Sequence, residues 1–136
     1  MGKLKKTAAV AFGLAAALAG TIATSGPAMA ADTPIAACGG GSYHVIDSHA
    51  LGSSAVVYLL YNGSTNCVVT WKTGARGNST WVEARVRHDH MYFNVDEGNF
   101  KYYAGPAKAT GAAGSCIMWG GSYGSQSYLS GWEHCG

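Results

Sequence analysis

Polar and apolar positions alternate strictly from Trp81 to Arg87. Val82, Ala84 and Val86 are apolar, and Glu83, Arg85 and Arg87 are charged. A period of two belongs to a β-strand with one face buried and the other wet. Tyr43–Ser48 alternates in the same way. Ser54–Tyr61, SAVVYLLY, is apolar on both parities and predicts a central strand buried on both faces. Asn62–Asn66 reads as a hairpin loop of the Asn-Gly kind, and Cys67–Thr73 as the strand returning beside it. Gly74–Ser79 is a second loop. After His90 the phase flips, and Met91, Phe93 and Val95 become the apolar set. A continuous strand cannot change phase, so a turn or bulge belongs at His88–Asp89–His90. Val95–Asn99 reads as a further turn, and Phe100–Thr110 as a strand bent at Gly105–Pro106. Cys116–Gly121 is a strand, and Ser127–Gly136 closes the chain.

From residue 31 onward no segment shows sustained helical periodicity, and the composition is rich in Gly, Ser, Tyr and Trp. The predicted fold is all-β, a small antiparallel β-sandwich or barrel of about seven short strands. Parity places Trp71 with Val69 in the core. It places Trp81 with Glu83, Arg85 and Arg87 on an exposed face.

The N-terminus changes the picture of where this domain works. Lys3, Lys5 and Lys6 precede an apolar run from Ala8 to Ala23, and Ala28-Met29-Ala30 fits the small-x-small rule for cleavage. Residues 1–30 read as a helical signal peptide cut between Ala30 and Ala31. Residues 31–37 read as a flexible N-terminus and 38–136 as one domain, with no integral membrane segment after processing. Three of the nine basic residues and none of the seven acidic ones lie in 1–30, so the formal charge of +2 becomes −1 in the remainder. A basic footprint for nucleic acid is absent.

Cys38, Cys67, Cys116 and Cys135 all lie beyond the signal. An even count in a small exported domain implies disulfides, and C-x-x-C zinc spacing does not occur. Four cysteines allow three connectivities. Tethering of the two chain ends argues for Cys38–Cys67 and Cys116–Cys135.

Candidate chemistry is sparse. His88 and His90 could chelate a metal at i, i+2, but a third ligand from His44, His49 or His134 would have to come through the fold. A solvated turn is the favoured reading, and no metal, cofactor or catalytic residue is assigned. No G-x-S-x-G elbow occurs, Asp96 and Glu97 are adjacent rather than opposed, and no thiol is expected to be free. The chain is therefore not expected to be an enzyme. Asn62-Gly63-Ser64 and Asn78-Ser79-Thr80 match a glycosylation sequon, a cheap match. Exposed Trp81 beside Arg85 and Arg87 has the composition of a binding surface, although cross-strand pairing on a wet face explains it as well.

YHVIDSHALG, VVYLLYNGSTNCVVTWKT, FKYYAGP, CIMWGG and EHCG resemble the spore-associated protein A family of Streptomyces-type actinomycetes. The resemblance covers Cys38–Gly136, including the four cysteines. RVRHDHMYFNVDEGNF departs from the pattern. The resemblance implies an exported protein of the spore or aerial hypha surface, and it carries over no catalytic or cofactor-binding residue. The expected function is that of a secreted, non-catalytic surface- or spore-associated protein. Its expected partners are the spore or cell-wall surface, or another extracellular protein. The alternative is a secreted ligand-binding module or an inhibitor of an extracellular enzyme.

Overall fold

The computed structural model describes residues 31–136; the signal segment and its cut after Ala30 lie outside the described residues. Eight strands form two antiparallel four-stranded sheets. The strands are β1 (His44–Leu51), β2 (Ala55–Tyr61), β3 (Asn66–Lys72), β4 (Thr80–His88), β5 (Asn94–Phe100), β6 (Tyr103–Ala109), β7 (Ile117–Tyr123) and β8 (Gln126–Leu129). The first sheet runs β1-β2-β3-β6 and the second β5-β4-β7-β8. The chain is thus an all-β sandwich carrying two disulfides.

Alternation explains the layering. Val57, Leu59 and Val68 from the first sheet meet Val82, Ala84, Val86 and Trp119 from the second, all buried. Small residues, Ala104, Ala107 and Ala109, line β6 at this interior and let the sheets approach. The two-sided apolarity of β2 has a second cause. Leu60 joins Cys38, Cys67 and Val69 in a separate cluster on the other face of the first sheet.

That cluster is covered by a helix the sequence pattern did not announce. Residues Pro34–Cys38 form α1, where a loose end was expected. Five residues are too few to show a 3.6-residue period. Local signals suffice instead. The Thr33 hydroxyl caps the Ala36 N–H, Pro34 opens the helix, and Gly39 closes it with φ 116°. The Cys38–Cys67 bond, 2.03 Å between sulfurs, fastens α1 to β3.

Two further expectations need correction. Val95–Asn99 is no turn; it lies within β5, whose partner β4 pairs Val86 with Asn94 and Thr80 with Phe100. β5 is an edge strand and carries polar residues because little of it is buried. Asp96 accepts a hydrogen bond from the Gly105 N–H (2.7 Å), which ties this edge to β6 of the other sheet. Trp71 lies outside the sandwich interior. It is half-buried on the outer face of the first sheet, stacked on Tyr103 at 5.3 Å with Arg76 over its ring. The expected bend at Gly105–Pro106 appears as a register shift where β6 faces Val68 and Thr70. Gly105 has φ 116°, and a Cβ there would lie 2.6 Å from the Val68 carbonyl oxygen, so only glycine fits.

The open edge between β1 and β8 is bridged by side chains. His49 stacks on Tyr128 at 3.7 Å, and Gln126 donates to the Ser54 hydroxyl at 3.1 Å.

Candidate binding face

The outer face of the second sheet gathers the residues the alternation singled out. Trp81, Glu83, Arg85 and Arg87 point outward from β4 because Val82, Ala84 and Val86 point in. Opposite Arg85, β5 supplies Val95 and β7 supplies Gly120. Gly120 has no room for a side chain: a Cβ there would sit 2.0 Å from the Tyr128 carbonyl oxygen. The face is therefore flat beside Arg85. Trp81 is 44% exposed, Val95 41%, Leu129 49% and Trp132 44%, so this face presents four large apolar side chains to solvent.

The two arginines play different parts. Arg85 is fixed by Glu83 through its Nε at 3.1 Å and also through Nη2. The other Glu83 oxygen accepts from the Ser122 hydroxyl at 3.0 Å, and Glu83 is only 6% exposed. Its charge is thus spent within the sheet, with both oxygens bonded. Arg87 has no carboxylate partner among the described residues. Its guanidinium lies over Phe93 at 5.6 Å and over Trp132 at 5.2 Å. Phe93 also carries Arg85 at 5.3 Å. The aromatic faces hold Arg87 by their quadrupoles; its Nε donates to the His88 carbonyl at 3.4 Å, and its terminal N–H groups are left for an incoming acceptor. The sequence pattern marks Phe93 only as one of the apolar set after His90, and it assigns neither Phe93 nor Trp132 to this surface. Phe93 reaches this face from the segment between β4 and β5, and Trp132 from the tail after β8.

The phase flip at His88–Asp89–His90 is the end of β4 and its turn toward β5. His88 does its work locally. Its Nε2 bonds the Thr110 carbonyl at 3.0 Å, and its Nδ1 accepts the His90 backbone N–H at 3.1 Å. Both ring nitrogens are therefore engaged by backbone, while the His90 side chain is 81% exposed. Cys116–Cys135 closes the C-terminal tail onto the start of β7. No cysteine is free among the described residues. No helix among them is long and apolar enough to cross a membrane.

No family model and no solved structure matches the chain. A curated relative does: spore-associated protein A of Streptomyces coelicolor is 38% identical over 102 residues. The match spans 73% of this chain and 64% of the relative, so the chain covers less than two thirds of that protein's length. This match supports membership of the spore-associated protein A family.

Proposed function

We propose that this is an exported, non-catalytic protein of the spore or aerial hypha surface, attached through the outer face of the second sheet. One observation carries the reading. Arg87 is a cation held between two aromatic rings, without a carboxylate partner among the described residues, on a face with exposed Trp81 and Leu129. Such a patch is apolar enough to bind and charged enough to choose. The name of the relative, spore-associated protein A, supports the place of action. The signal-like residues 1–30 support export.

The test is fractionation. Spores are washed in salt and detergent, and the protein is located by mass spectrometry in the spore, wash and medium fractions. The proposal expects it with the washed spores. It further expects that Trp81→Ala with Arg87→Ala moves it into the medium while it stays folded. Wild-type protein free in the medium overturns the proposal and favours the inhibitor reading.

A further inference from the structure

At the opposite side of β7 from the aromatic face, three ionisable side chains converge from distant parts of the chain. Asp47 comes from β1, and Glu133 and His134 from the tail after β8. One ligand atom of each lies within 4.8 Å of the other two. We propose that Asp47, Glu133 and His134 form a divalent-metal site for a borderline ion of the zinc class.

The backbone that carries the donors is anchored by contacts outside the cluster. Glu133 exchanges both backbone hydrogen bonds with Ile117, at 2.7 and 2.8 Å. Cys135 is bonded to Cys116. His134 is caught between these two anchors. Asp47 follows a register shift after Val45 in β1, which re-aims the strand at that point. The Trp119 indole N–H donates to Glu133 Oε1 at 3.0 Å. This fixes the carboxylate and leaves Oε2 free, as an outer partner of a metal ligand does. His134 Nε2 lies 2.9 Å from Asp47 Oδ2. A cation would take the place of this contact.

The charge balance favours a cation. Two carboxylates meet one imidazole, and neither carboxylate has a lysine or arginine ion-pair partner among the described residues. Their field reaches the neighbouring phenol. Burial first, then Glu133 and Asp47, push the Tyr128 hydroxyl above its ordinary pKa. The donor set selects the ion. An imidazole among the donors argues against magnesium and calcium, and the engaged cysteines leave no thiolate for cuprous ion. Zinc donors at about 2.0–2.2 Å stand roughly 3.3–3.6 Å apart in a tetrahedron. The partly exposed side chains of Asp47 and His134 have the freedom to close that distance. Three protein ligands leave a coordination position for water or an outside ligand. His134 also borders a cavity of about 230 Å³ shared with Ile46, Tyr61 and Asn66, which gives such a ligand room.

The experiment uses metal-stripped protein with both disulfides intact. Zinc is titrated by calorimetry, with calcium and magnesium as comparators. One zinc should bind per chain, raise the melting temperature and shift the Trp119 indole N–H resonance. Asp47→Asn, Glu133→Gln and His134→Asn should each weaken zinc binding by about 10-fold or more. Asparagine is chosen at 134 because φ there is 52°, which asparagine tolerates. His88→Ala with His90→Ala should leave zinc binding unchanged. Absence of saturable zinc binding overturns the proposal and leaves a plain Asp47–His134 hydrogen bond. Binding that survives the three substitutions, or is lost with His88 and His90, also overturns it. Should a variant fail to fold, the wild-type resonance decides: a Trp119 signal indifferent to bound zinc places the ion elsewhere.

Discussion

The Thr70 hydroxyl of the first sheet donates a hydrogen bond across the sandwich interior to the Glu83 carbonyl of the second, at 2.6 Å. Both residues are buried. Gly121 makes this contact possible. A Cβ on Gly121 would lie 2.1 Å from the Thr70 oxygen and 2.6 Å from the Glu83 oxygen. The strand that carries the outward Glu83–Arg85 pair is thereby fixed from inside.

Gly121→Ala should therefore destabilise the domain by about 1–3 kcal/mol through overpacking. Thr70→Val keeps the shape but loses the donor, and should cost about 1 kcal/mol. Urea midpoints of the oxidised protein measure both. A Gly121→Ala variant as stable as the wild type would show that the sheets separate freely at this point.

How much of this was legible in the chain depends on the range of the interaction. The alternation in Trp81–Arg87 placed the buried and exposed faces of β4, because a period of two is local and the interior rewards it. β2 was legible from a different local signal, an apolar run on both parities that suits a strand buried on both faces. β5 was not. Asp96, Glu97, Gly98 and Asn99 look like turn chemistry, and only pairing with β4 makes them a strand. Phe100 lies over Gly98, 3.1 Å from where its Cβ would be, and shields that weak point. The α1 helix could have been found from Thr33-Pro34 and Gly39, which are capping signals rather than periodic ones. Arg85 and Arg87 were identified by parity, yet Phe93 and Trp132 join them only through tertiary structure. Asp47 and His134 are 87 positions apart, and no local pattern relates them.

The turn after β4 separates the two histidines of the HDH stretch. His90→Ala should change stability by no more than about 0.5 kcal/mol, as exposed substitutions do. His88→Ala should cost about 1 kcal/mol, because it removes a bond to the Thr110 carbonyl and the cap on the His90 N–H. Thermal melts of the two single variants check this. Equal effects from both would mean that the ring contacts of His88 do not hold the turn.

Lys72 gives a pH dependence with a definite sign. Its side chain is wholly buried at one end of the sandwich, bonded to the Asn78 and Phe100 carbonyls, with the Tyr123 ring 5.9 Å away. Burial, and then the nearby Arg76 charge, lower its pKa below the ordinary 10.5. The folded state therefore releases this proton before the unfolded state does. As pH rises through the lowered value toward 10.5, the unfolded chain holds the extra proton and stability gains. The stability of wild type minus that of Lys72→Met should increase over this alkaline window. The difference cancels the tyrosines common to both proteins. A flat difference would mean that the Lys72 ammonium is as well stabilised in the fold as outside it, and a falling one that it is better stabilised there.

The two disulfides should not be equivalent. Chain entropy alone makes them similar, with sequence separations of 29 and 19 residues. That corresponds to about 3–4 kcal/mol each. Cys38–Cys67 carries a second contribution. It holds α1 over Leu60 and Val69, which are fully buried on the outer face of the first sheet. Replacing both cysteines with serine frees α1 and exposes that cluster to water, which adds an apolar cost to the entropic one. Cys116–Cys135 instead ties down an exposed tail, and the Glu133–Ile117 backbone pair still holds the tail when the bond is gone. Cys38→Ser with Cys67→Ser should therefore lower the melting temperature more than Cys116→Ser with Cys135→Ser. It should also change the emission of Trp71, which packs against the same cluster. Equal losses, with Trp71 emission unmoved, would show that α1 stays seated on β3 without its covalent link.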